Sequence, residues 1–222
     1  MGRSAMLRYA GAGGVCVAIA FAGVAAADTG THGDPVGGSD VWSQQTLDDC
    51  VLMATAHLIG MFTGTTPTEE QIIALASSTP SEEHSGSPIY HLPTDLDHPN
   101  ETGDGAATED MPLLMAHYGL NGTYTDDDVA SEVGLATGMT ALREYLDIGK
   151  AALAVADADI LWDEQGAQYG PHAVVVTGID DTTGIVHIND SGPDNGADEQ
   201  VKIKDFETAW GQYGHQLIVV TE

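Results

Sequence analysis

The sequence predicts an α+β fold, on three observations: its helical patterns come first, its β-rich runs come last, and the two do not alternate. The earliest strong pattern is Cys50-Val-Leu-Met-Ala-Thr-Ala-His-Leu-Ile-Gly-Met-Phe62, apolar nearly all round, as suits a helix buried in the middle of a domain. Asp48 or Asp49 is placed to cap its start. Thr66-Pro67-Thr68-Glu69 reads as a capping box with proline at the first helical position, opening a second helix through Ile72, Ile73 and Leu75. Residues 108–118 and 140–148 supply two more, stopped by Gly119 and Gly149. Then the period changes. Residues 151–155, 173–177, 184–188 and 216–221 are short β-rich runs, with Asp180-Asp-Thr-Thr-Gly184 as a turn between the middle two, and Phe206 and Trp210 mark a short helix before the last strand.

Two segments fall outside this scheme. Ser77 to Asp110 is polar, acidic and interrupted by Pro80, Pro88, Pro93 and Pro99, longer than most loops inside a domain, and is expected to be a surface excursion or lid. Residues 28–40 are rich in Gly, Asp and Thr and are expected to form a flexible acidic leader to a domain spanning 41–222. Before them, Arg3 and Arg8, an apolar stretch from Tyr9 to Val24 and Ala25-Ala26-Ala27 have the form of a secretory signal peptide over residues 1–27, too short and glycine-rich to span a bilayer. The expected destination is secreted or extracytoplasmic, with no stable membrane association once the signal is cleaved.

Charge and cysteine count narrow the function. The chain has 34 Asp and Glu against 6 Lys and Arg, a formal charge of -28. Cleavage after Ala27 leaves four fixed cations, Arg143, Lys150, Lys202 and Lys204, and a formal charge of -30. Such a field repels phosphate backbones and anionic membranes, which excludes nucleic acid as a partner. With 42% hydrophobic residues the chain still has the means to build a core. Signal removal also takes Cys16 and leaves Cys50 alone, so no internal disulfide is possible, and an unpaired cysteine in an oxidising compartment is buried, paired between chains or a working thiol.

Three segments place reactive side chains at the ends of regular elements. Cys50 falls in the first turn of the buried helix, where free backbone N–H groups and the helix dipole stabilise a thiolate. His172 opens the strand His-Ala-Val-Val-Val-Thr-Gly178-Ile-Asp180, and Asn189-Asp190 closes the next, so the turn between them brings both to one end of a hairpin. An acid there can fix the imidazole tautomer and leave the other ring nitrogen for the thiol. Strand alternation lets one member of the Asn189/Asp190 pair face His172. Gln44 stands six residues before Cys50, where a side-chain amide can join the Cys50 N–H as oxyanion donor, and Gln45 competes with it. Taken singly, each residue has an ordinary structural reading: a small core hydrophobe, a strand-edge histidine, a turn aspartate. Their joint order is what points to catalysis.

The Gln-x5-Cys approach to a buried helix, the His-Ala-Val-Val-Val-x-Gly-Ile-Asp strand and the Asn-Asp-Ser-Gly that follows resemble a papain-fold cysteine peptidase, in particular the bacterial bacteriocin-processing (double-glycine) peptidase-like family. The resemblance runs from about Trp42 to Val220. It implies a helical half packed against an antiparallel sheet, with Cys50 as nucleophile, His172 as general base and acid, Asp190 as the residue orienting the imidazole, and Gln44 as oxyanion donor. One position departs from the family pattern: Val51-Leu52 follow the cysteine where Gly-Pro is common, and Asp48 and Asp49 bring negative charge beside the thiol. The implied activity is peptide-bond hydrolysis through a thioacyl-enzyme on a peptide or protein substrate. The alternatives are amide hydrolysis or transpeptidation of cell-wall peptides on the same fold, and a secreted binding module with a vestigial triad. No cofactor or metal is called for: the nine histidines form no His-x3-His pair, His84, His91 and His98 lie in the proline-broken excursion, and the acidic loops lack an EF-hand pattern.

Overall fold

In a computed structural model, which describes residues 30–164 and 166–221, the chain forms one antiparallel sheet with helices on both faces. The signal segment lies outside the described residues, among which no helix is long and apolar enough to cross a membrane. The strands are β1 (Thr31–Gly33), β2 (Asn121–Thr125), β3 (Ala152–Asp157), β4 (Pro171–Asp180), β5 (Ile185–Asp190), β6 (Glu199–Lys202) and β7 (Leu217–Thr221). They order as β2-β7-β3-β4-β5-β6, with β1 paired to the distal end of β4.

The α+β expectation holds, and the pleat explains the two-sided burial. Leu153 and Val155 of β3 and Ala173 and Val175 of β4 pack under α2 (Cys50–Thr63), α3 (Glu69–Ser78) and α5 (Met111–His117). Their alternates, Ala152, Ala154, Val174 and Val176, pack against α6 (Gly138–Asp147) and α7 (Ile203–Gly211). The α2 helix is buried from Val51 to Gly60, as its all-round apolarity requires, and ends at Gly64, whose φ of 73° permits the left-handed cap that donates to Gly60 O at 2.9 Å.

Two local expectations are corrected. The second helix begins at Glu69, not at Pro67: Thr68 is its N-cap and Gln71 closes the capping box, because Thr68-x-x-Gln71 offers the same reciprocal geometry two residues later. Glu69, released from that role, accepts hydrogen bonds from Thr46 N (2.5 Å), Thr46 Oγ1 (2.8 Å) and Leu47 N (3.2 Å), bracing the approach to Cys50. Nor is the segment after residue 30 a flexible leader. Residues 31–33 pair with 178–180, α1 (Pro35–Ser39) is capped by Asp34, and His32 bridges Asp147 (2.7 Å) and Asp181 (3.2 Å). Backbone pairing with β4, which composition does not reveal, fixes it.

The 77–110 excursion is pinned as well. A bridge joins Pro80 to Pro88, Ser81 donates to buried Asp110 at 2.6 Å, and the short helix α4 (Pro99–Thr102) lies within it. Asp48, two residues before Cys50, accepts from Tyr90 Oη (2.6 Å) and Gly105 N (2.9 Å), and Gly103 backs so closely onto its carboxylate that no side chain fits there.

Candidate active site

Cys50 is the first residue of α2, partly exposed and a free thiol. His172 is the second residue of β4 and Asp190 the last of β5, and the register Val174 against Asp190 makes them diagonal neighbours at one end of the hairpin. His172 Nε2 lies 2.6 Å from Asp190 Oδ1. The Cys50 side chain lies beside the ring and acts with Asp190 to raise its pKa. With Nε2 taken by Asp190, Nδ1 remains for the thiol.

Asp190 is fully buried and well supplied with donors. Oδ1 also accepts from Gly192 N (2.8 Å), Oδ2 from Trp162 Nε1 (2.9 Å), and the backbone oxygen from Trp42 Nε1 (2.5 Å). Burial alone pushes its carboxyl pKa up, but the His172 hydrogen bond and charge, with Gly192 and Trp162, outweigh it and hold the group below the usual carboxylate range. The same balance works in reverse on His172: burial lowers the imidazole pKa, while Asp190 and then Cys50 raise it above its ordinary value. The ring is therefore stabilised as imidazolium between two acidic partners.

Of the Asn189/Asp190 pair, Asp190 reaches His172. Asn189 turns the other way, donating to Gly38 O at 2.7 Å. The glutamines are both occupied. Gln44 is exposed and donates its amide to Gly192 O (3.2 Å) and Asp194 Oδ1 (2.9 Å). Gln45 is tied into the loop after β5 by Gln45 N to Ser191 O (2.9 Å) and Ser191 Oγ to Gln45 Oε1 (2.6 Å).

The structure adds residues that motif spacing does not expose. Trp162 and Trp42 bind Asp190 from elements far away in sequence, while Gly192 shows itself in the local Asp-x-Gly turn. Glu199 on β6 has a buried Oε2 with no hydrogen-bond partner, and burial, then the charge of Asp190, pushes its pKa up to about 7. Asp49 is the N-cap residue of α2 but makes no side-chain cap bond. It is 1% exposed, and burial, then nearby Glu69, pushes its pKa up to about 8. The charge expected from Asp49 beside the thiol is thus suppressed at neutral pH, because desolvation favours the protonated carboxyl. His84, His91 and His98 are exposed on the excursion.

The model of the Peptidase_C39 like family matches residues 40–218. Uncharacterized proteins of Mycobacterium bovis and Mycobacterium tuberculosis are each 46% identical to the chain over 217 residues, which cover 95% of this chain and 92% of theirs. Among solved structures, a Bacillus anthracis protein described as a C39-like peptidase superposes with a TM-score of 0.55 at 20% identity, over 83% of this chain and 96% of that one. At that identity the likeness is one of fold.

Proposed function

Because this chain belongs to the Peptidase_C39 like family and has its papain-like fold, we propose that it is a secreted cysteine peptidase that hydrolyses peptide bonds through a thioacyl-enzyme on Cys50. The observation that carries the proposal is the His172 ring held between Asp190 and Cys50. Secretion rests on the signal-like pattern of residues 1–27.

In the proposed reaction the His172 imidazolium already holds at Nδ1 the proton given up by Cys50, and the thiolate attacks the scissile carbonyl carbon, driving the π electron pair onto oxygen. Asp190, fixed by its own donors, holds Nε2 and with it the ring orientation. The oxyanion accepts from the Cys50 backbone N–H at the start of α2 and from the Gln44 amide, which gives up one of its present contacts to do so. Collapse breaks the C–N bond, and the amine leaves with the proton from the imidazolium. Water, deprotonated by His172, then attacks the thioester carbon, and cleavage of the C–S bond returns the Cys50 thiolate beside the re-formed imidazolium.

The direct test is a thiol-reactive active-site probe on the purified protein. The reading requires labelling at Cys50 that is lost in His172→Ala and peptide turnover that is lost in Cys50→Ala. Labelling that persists in His172→Ala overturns it.

A further inference from the structure

The helix that carries Cys50 also carries a histidine that the proposed chemistry does not use. His57 lies seven residues on, about two helical turns and 10 Å along the axis, and is 0% exposed. Its Nε2 is 3.0 Å from Ser43 N, 3.1 Å from Ser43 O and 3.5 Å from Ser43 Oγ. One tautomer accepts from the Ser43 N–H and the other donates to the Ser43 carbonyl; in both, the polar partner is Ser43. Nδ1 is buried without a hydrogen-bond partner. Burial pushes the imidazole down to about 4, so the ring is uncharged at neutral pH.

A leucine would fill this place without leaving a buried nitrogen unsatisfied. What the histidine adds is the bond to Ser43, the residue before Gln44. On either side, this segment is tied to the end of β5 and the loop beyond it: Trp42 Nε1 to Asp190 O (2.5 Å) and Gln45 N to Ser191 O (2.9 Å). Among the described residues, its hydrogen-bonded link to α2 runs through His57.

Resting on the peptidase reading, we propose that His57 is a positioning residue for acyl transfer: it ties Ser43, and through it Gln44, to the helix that presents Cys50. The consequence is a separation of two reactions at one thiol. Peptide hydrolysis needs the oxyanion donors. Alkylation by chloroacetamide, in which the Cys50 sulfur forms a bond to carbon and chloride leaves, needs the Cys50–His172 pair and no oxyanion hole.

The test compares His57→Leu, His57→Gln and His57→Asn, with folding checked by near-UV circular dichroism. Loss of a single oxyanion donor costs about 100–1,000-fold, so its loosening in His57→Leu is expected to lower kcat about 10–100-fold, with alkylation of Cys50 within about twofold of wild type. Amide hydrogen exchange at residues 43–45 is expected to quicken. The Gln side chain reaches the place of Nε2 and restores kcat and exchange; Asn stops at the place of Nδ1 and does not, a contrast that remains available if His57→Leu fails to fold. Unchanged kcat and exchange in His57→Leu, an equal fall in kcat and alkylation, or the same behaviour in Gln and Asn overturns the proposal. If wild type alkylates in a His172-dependent way but cleaves no peptide, the peptidase reading has failed, and the exchange data alone decide whether His57 holds Ser43.

Discussion

Trp162 donates its indole N–H to Asp190 Oδ2 at 2.9 Å, occupying the carboxylate oxygen that His172 leaves free. The same indole stands 5.1 Å, centroid to centroid, from the His172 ring. Trp162→Phe keeps an aromatic ring beside His172 and removes the donor from a fully buried carboxylate. Stability should fall by about 1–3 kcal/mol and kcat by about tenfold, read by urea unfolding and steady-state kinetics with a peptide substrate. Wild-type values in both would show that this bond does not matter to Asp190.

Asp49 gives the molecule a stability that depends on pH. Its folded pKa of about 8 lies above the ordinary 3.8, so the folded state holds a proton that the unfolded chain releases between those values. Stability therefore falls as pH rises from about 4 to about 8, and this contribution is level above that. Asp49→Asn removes the penalty. Its stability relative to wild type is expected to change little near pH 4 and to grow by a few kcal/mol by pH 8, measured by denaturant titration at several pH values. A difference independent of pH would mean that Asp49 ionises normally.

Both amide protons of Gln44 are engaged, one by Gly192 O and one by the exposed carboxylate of Asp194. An oxyanion drawing on Gln44 must displace a partner, and Asp194 competes with it. Asp194→Ala should raise kcat/KM about two- to fivefold, the equivalent of a net hydrogen bond of about 0.5–1 kcal/mol. A fall instead would make Asp194 an organiser of Gln44 and not a competitor.

Electrostatics supply a fourth expectation. After Arg8 the next Lys or Arg in the sequence is Arg143, so the segment that builds α2, α3 and the excursion carries acids without fixed cations. Self-repulsion of this kind is screened by salt. The melting temperature should rise by about 5 °C or more between 0.05 and 1 M NaCl, and a flat or falling profile in a thermal melt would refute it.

The elements that position Cys50, His172 and Asp190 were legible because each writes its own period: an all-round apolar helix, then two β runs joined by a short turn. β1, β2 and β6 were not, since Thr-His-Gly or Glu-Gln-Val-Lys is extended only by virtue of the strand beside it. The spacing of Gln44 from Cys50 was visible, but Asp194, 150 residues away, was not. The charge state of Asp49 also lay beyond the sequence, because it follows from burial and not from the identity of the residue.

The contact between Asp48 and the excursion bears on how this part of the chain can be changed. Tyr90 and Gly105 close on the Asp48 carboxylate while Gly103 leaves room for it, so the excursion takes its position from a residue two places before Cys50. Transplanting residues 80–107 into another scaffold without Asp48 leaves the tyrosine hydroxyl and the Gly105 amide without their acceptor. Replacing Asp48 alone likewise leaves both without it. The loop and the approach to Cys50 therefore form one inheritable unit, whose exposed positions, such as Leu92 and Leu96, can be varied while those four anchors stay in place.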